Sequence, residues 1–224
     1  MPRPLNSTDN FETIENWLDE NLTNENSFTP NRDAIHQVLS KGIYFWFMKP
    51  AGYQKLSNYL PIQALPTKYS RTINGEQFDL VYLGTAGVRD TGKGDNKGHL
   101  LERFEWHILN YQNQNHVCSG IMSTFRRTLI PLFSEDLILN NAQSELNTIF
   151  SKYFKLYYLP YPGSFTEVKD RVNKDESILI NVIKPIFNLK SNQNAKTKGH
   201  ITFQIKKRRN EIEKLTKTRL DCKK

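Results

Sequence analysis

The sequence predicts an α/β fold: a small, mostly antiparallel sheet flanked by helices, with extra helices at both ends and an insertion between the first two strands. Three observations carry this. The runs Gly42–Met48 (GIYFWFM), 78–83 (FDLVYL) and 155–159 (KLYYL) are dense in aromatic and branched residues and bounded by glycine, proline or lysine-proline, as strands are. Between and after them, apolar residues recur with the helical period of about 3.6. The turn pair Asn74-Gly75 stands just before the second run, so the first two strands read as an elaborated hairpin.

Size and composition narrow the class. The chain has 224 residues, which suits one domain, with or without appended segments. A core of that size needs no disulfide staples. With 38% apolar and 12% aromatic residues, the chain is not wholly disordered. The two cysteines, Cys118 and Cys222, form no disulfide framework and no CxxC metal pair, and are expected to be incidental thiols. No run of about 18 apolar residues predicts a membrane span. The start Met1-Pro2-Arg3-Pro4 leads into polar, acidic sequence and not the apolar core of a signal peptide, so a cytoplasmic protein is expected. The net charge of +8 points to an anionic partner, most commonly nucleic acid.

Each element has its own signal. Residues 10–24 carry Phe11, Ile14, Trp17 and Leu18 at helical spacing, which predicts a helix docked by its apolar stripe. Residues 31–40 read as a short helix after Pro30, with Asp33 in the first turn. Residues 50–75, with Pro61 and Pro66, form the insertion. Residues 84–98 are a glycine-rich loop bearing Arg89, Lys93 and Lys97; the Gly-x-x-x-x-Gly-Lys-Ser/Thr pattern of a nucleotide cradle is missing. Residues 99–111 read as one helix, with Leu101, Phe104, Ile108 and Tyr111 on one stripe and His99, Arg103 and His107 on another. Residues 123–133 open with a Ser-Thr cap and continue as a basic helix bearing Arg126 and Arg127. Residues 140–153 read as helical, and 175–183 as a helix closed by Lys184-Pro185. Residues 188–199 form a polar loop. From Ile205 the chain carries Lys206, Lys207, Arg208 and Arg209 and then a charged amphipathic helix. This divides the chain into an N-terminal helical extension (1–40), a central domain (41–190) and a basic C-terminal segment (191–224). His36, His116 and His200 show no zinc spacing.

Four pieces stand in chain order: Gly42-Ile43-Tyr44 on the first strand, Tyr82-Leu83-Gly84 on the second, Arg103 and His107 one helical turn apart, and Glu176, Leu179 and Ile180 followed by Pro185 and Asn188. Taken singly, they are sheet-face aromatics, a solvated helix face, a helix-start carboxylate and a turn residue. Together they resemble the GIY-YIG nuclease superfamily over roughly residues 41–190, and in the RxxxH helix and the Glu-to-Asn segment they are most similar to its restriction endonuclease branch. Two features depart from the family pattern: the long interval between Tyr44 and Tyr82, and Leu83 in place of isoleucine.

The resemblance implies a Mg²⁺-dependent endonuclease, with Mn²⁺ able to substitute, that hydrolyses phosphodiester bonds of double-stranded DNA as a type II restriction enzyme. Such hydrolysis needs an activated water, a stabilised phosphorane and help for the leaving oxygen. Tyr44 is implied as the group that deprotonates the water, with His107 relaying or sharing the proton. Tyr82 would position water or phosphate, and Arg103 would clamp the scissile phosphate with its planar fork. Glu176 would be the single protein ligand of the metal, and Asn188 would hold the site by hydrogen bonds. Arg89, Lys93, Lys97, Arg126, Arg127, Lys206, Lys207, Arg208 and Arg209 are the candidate contacts to DNA. An enzyme cutting both strands is expected to be a homodimer. The alternatives are a nuclease of this superfamily serving DNA repair or a mobile element, and a non-catalytic DNA-binding protein of the same fold.

Overall fold

The aromatic run that predicts the first strand becomes the centre of the sheet. The computed structural model describes residues 2–23, 27–28, 41–62, 69–86, 100–109, 112–190 and 192–222. Its strands are β1 (Ser27–Phe28), β2 (Gly42–Met48), β3 (Ser70–Ile73), β4 (Glu76–Ala86) and β5 (Phe154–Pro160), in the order β1-β5-β2-β4-β3. All neighbours run antiparallel. The helices are α1 (Phe11–Asn21), α2 (Pro50–Lys55), α3 (Leu100–Phe104), α4 (Gln114–Ser119), α5 (Thr124–Leu129), α6 (Asn140–Tyr153), α7 (Phe165–Ile183) and α8 (Ile201–Arg219). No helix among the described residues is long and apolar enough to cross a membrane.

Every residue of β2 is buried, because strands flank it and helices cover both its faces. Its side chains alternate, as the pleat requires. Ile43, Phe45 and Phe47 enter a core with Trp17 and Leu18 of α1 and Val172 and Leu179 of α7. Tyr44, Trp46 and Met48 enter the other, with Phe104, Phe125, Phe150, Ile205 and Ile212. The sequence stripe of α1 is thus buried as expected, through Ile14, Trp17 and Leu18.

The insertion contributes two elements. Tyr53 of α2 packs under the second core, and β3 extends the sheet. Asn74 and Gly75 have φ of 52° and 79°, the doubly left-handed geometry of a tight hairpin turn from β3 to β4.

Several expectations are corrected. The helix read over 99–111 does not stay α: α3 ends at Phe104 and a π-helical turn, Glu105–Leu109, follows. The helix read over 175–183 begins ten residues earlier, at Phe165, where Ser164 and Glu167 form a reciprocal capping box. The basic C-terminal segment forms α8 and packs against the second core. His200 caps α8 through its ring nitrogen, and Ile205 and Ile212 join the core. The cysteines are not free thiols: Cys118 and Cys222 are disulfide-bonded, joining the end of α4 to the chain just after α8. The helix read over 31–40 and the loop cations Arg89, Lys93 and Lys97, like His99, lie outside the described residues.

Candidate active site

The motif glycines are explained by close approach. A Cβ on Gly42 would lie 2.0 Å from the Leu159 carbonyl oxygen of β5. A Cβ on Gly84 would lie 2.5 Å from the Tyr44 hydroxyl. In the β2–β4 register Tyr44 faces Gly84 and Trp46 faces Tyr82, so the two tyrosines are diagonal neighbours on one face. The missing side chain at Gly84 is the space the Tyr44 phenol fills. The register then shifts, with Phe47 opposite Leu80, and Val81 is the extra residue.

Beyond β3, the outer edge of β4 is closed by the chain that follows α7. Lys184 ends that helix in the left-handed conformation, with φ of 56°. The chain turns at Pro185, and Phe187 N–H donates to the Val81 carbonyl at 3.0 Å. The Asn188 amide then pairs with Leu83 as a strand would: Leu83 N–H donates to Oδ1 at 2.9 Å, and Nδ2 donates to the Leu83 carbonyl at 2.8 Å. The Leu83 side chain is wholly buried in the face away from the site, where a large aliphatic group is what the packing asks for.

Tyr44, Tyr82, Arg103, His107, Glu176 and Asn188 all line one open cleft of about 570 Å³. Tyr44 Oη lies 2.9 Å from His107 Nε2, and His107 Nδ1 lies 2.6 Å from Ser123 Oγ. Burial, followed by the nearby Arg103 and Arg126, holds the His107 imidazole well below its usual range, so it is neutral. That environment disfavours a resting imidazolium. Burial holds the Tyr82 phenol well above its usual range, helped by Tyr44 and Glu176, so it stays protonated. Glu176 is the one carboxylate lining the cleft among the described residues, and Asn173 is on the same side of α7, one turn earlier. A single carboxylate in an open, polar cleft suits a hard ion such as Mg²⁺, which keeps waters and phosphate oxygens as its other ligands.

The candidate DNA contacts divide. Arg126 is corrected outright: it is fully buried and donates to the carbonyls of His107 (2.7 Å) and Ile108 (2.8 Å), to Gln143 (2.8 Å) and to Asn147. It closes the end of the π-helical turn and cannot reach a phosphate. Arg127 lines the cleft and pairs with Glu213 of α8 at 3.6 Å. Arg209 is near Arg127, Glu213 and Tyr82, and its partial burial lowers its affinity for a proton. Arg208 donates to the Pro131 carbonyl and stacks over Tyr59. Lys206 is half-buried, and Lys207 is exposed and pairs with Glu211.

Sequence reading missed Ser123 as a partner of His107, because it registers only as a helix cap. It also missed Lys190 and Asn173; the latter was findable, three residues before Glu176 on the same helical face.

The fold and cleft define a class: a curled antiparallel sheet with a tyrosine pair, a histidine, an arginine and a carboxylate converging on one opening. A family model described as the GIY-YIG catalytic domain matches residues 42–211, and the chain belongs to that family. It is therefore a nuclease, a hydrolase acting on DNA. The match extends into α8, in keeping with the packing of that helix in the core. No curated protein and no solved structure matches the chain.

Proposed function

We propose that the protein is a Mg²⁺-dependent endonuclease that cuts double-stranded DNA in a restriction setting. The observation that carries this reading is the 2.9 Å contact between Tyr44 and His107 on the wall of the cleft that also holds Arg103 and Glu176. Tyr44, once its phenolic proton has passed to solvent water in the open cleft, takes the proton of the attacking water at its phenolic oxygen, and His107 orients that oxygen. Tyr82 remains protonated and donates to the water or to a phosphate oxygen. Arg103 holds the scissile phosphate with its fork of N–H groups. Glu176 would hold the Mg²⁺, and Mn²⁺ would serve in its place; the ion would polarise phosphate oxygens and ease departure of the leaving oxygen. Arg127, Lys190 and Arg209 would contact phosphates flanking the scissile bond. Cutting both strands calls for two such clefts, hence a homodimer.

The test is plasmid digestion with and without Mg²⁺, by the parent and by Glu176→Ala. The expected result is double-strand cleavage by the parent in Mg²⁺, none in chelator, and none by the variant, which still binds DNA in Ca²⁺. Cleavage by Glu176→Ala near the parent's rate would contradict the assignment. Nicking without double-strand cutting would favour a repair setting.

A further inference from the structure

Ser123 is buried against His107, and its hydrogen bonds can be counted. Its Oγ lies 2.6 Å from His107 Nδ1 and accepts the Arg126 backbone N–H at 3.3 Å, as the cap of α5. Its own backbone N–H donates to Gln112 Oε1 at 2.9 Å. Ser123 is 1% exposed and His107 2%, so bulk water does not complete their bonding. A serine hydroxyl has one hydrogen to place, and a buried hydroxyl is rarely left without an acceptor. Among the described residues, the acceptor in reach of that hydrogen is His107 Nδ1. If Nδ1 carried a proton instead, two N–H groups would point at Oγ and the serine hydrogen would have nowhere to go. The neutral ring has a single proton, which this count puts on Nε2, facing Tyr44 Oη at 2.9 Å.

We propose that Ser123 fixes His107 in the Nε2–H tautomer, so that the imidazole donates a hydrogen bond to the Tyr44 oxygen and acts as a positioning residue for it. Nε2 is then not an acceptor for the phenolic hydrogen of Tyr44, which passes to a solvent water in the open cleft before Oη takes the proton of the attacking water. The donated bond fixes the position of Oη beside Tyr82 in the cleft. Burial of His107 among Tyr44, Trp46, Tyr82 and Phe125 supports a single protonation state. The inference rests on the reading of Tyr44 as proton acceptor, yet its test does not depend on cleavage.

The direct test is ¹⁵N NMR of the full chain labelled at histidine, with His107→Gln used to assign the signal. The expected result is a proton on Nε2 and a bare Nδ1; a proton on Nδ1 overturns the proposal. Ser123→Ala removes the hydroxyl, and Ser123→Thr restores it together with the helix cap. In Ser123→Ala the ring proton should spread over both nitrogens, and single-turnover cleavage should fall roughly 10- to 100-fold, the size seen when a group orienting a reacting side chain is lost. Ser123→Thr should recover both readouts. A rate loss in Ser123→Ala with the tautomer unchanged would mean a purely structural role and overturn the proposal. If Ser123→Ala does not fold, the parent and Ser123→Thr spectra decide. A parent that holds the proton on Nε2 but cuts no DNA supports the tautomer assignment and sinks the nuclease reading instead.

Discussion

At Gly84 the room a side chain would take is filled by the hydroxyl of Tyr44. Gly84→Ala puts a methyl group 2.5 Å from that oxygen, so the phenol must move. Displacing a reacting group by about 1 Å costs on the order of 100-fold in rate. The variant should therefore lose cleavage and, because a rigid core ring must shift, also melt somewhat lower, by about 1–3 kcal/mol of stability; near-parental cleavage would show that Tyr44 need not be where it is. His107 supports a second prediction. Its folded-state affinity for protons is lowered well below the ordinary value of 6.5, so the unfolded chain binds the proton first as pH falls. The stability that goes with a neutral His107 is present above pH 6.5 and is lost as pH drops below it. Thermal melts from about pH 7.5 to about pH 5.5 should show a steeper loss in the parent than in His107→Gln. Equal slopes would contradict the burial argument. At this scale the sequence was legible through the ordered motif and not through any residue alone: the tyrosines, Arg103, His107, Glu176 and Asn188 are ordinary taken singly, and all line one cleft. Ser123 was not legible, because its partner is on a different element and no local spacing links them.

Among the elements, β4 shows how distant segments complete a strand. Along its outer edge it pairs first with β3, then with Phe187 and then with the side chain of Asn188. Local pattern identified β2, β5 and the stripe of α1, since alternation and helical period are properties of consecutive residues. It could not tell Arg126 from Arg127: both are basic residues near the start of the same helix. Burial separates them, and so do their expected variants. Arg126→Met leaves the His107 and Ile108 carbonyls without their donor, and should destabilise the protein by at least ~2 kcal/mol, since each buried group left unpaired costs about 1–3 kcal/mol. Arg127→Ala removes a partly exposed cleft cation and should leave melting nearly unchanged while weakening DNA binding at low salt. Melting and binding curves for the two variants check the assignment, and an inverse pattern would refute it.

For the molecule as a whole, α8 joins the basic C-terminal segment to the core. The sequence shows a basic run followed by a charged amphipathic helix; Ile205 and Ile212 anchor that helix in the core, and Arg209 and Glu213 bring it close to Arg127 at the rim of the cleft. The Cys118–Cys222 bond holds the chain just after α8 to α4 across a separation of 104 residues, a pairing that two isolated cysteines in a sequence cannot announce. Closing so long a loop restricts the unfolded chain and is worth on the order of 2–4 kcal/mol, so a reductant should lower the melting temperature by several degrees. An unchanged melt, with both thiols shown to be reduced, would contradict a stabilising role. On the proposed function, this scaffold presents one phenolic oxygen, that of Tyr44, to a phosphodiester. Tyr44→Phe tests it most directly, with melting and single-turnover cleavage measured on one preparation. The ring, the packing and β2 remain, so stability should fall by only about 1 kcal/mol, while the rate should drop on the order of 10²–10⁴-fold. A Tyr44→Phe protein that cuts DNA at the parental rate would contradict the account.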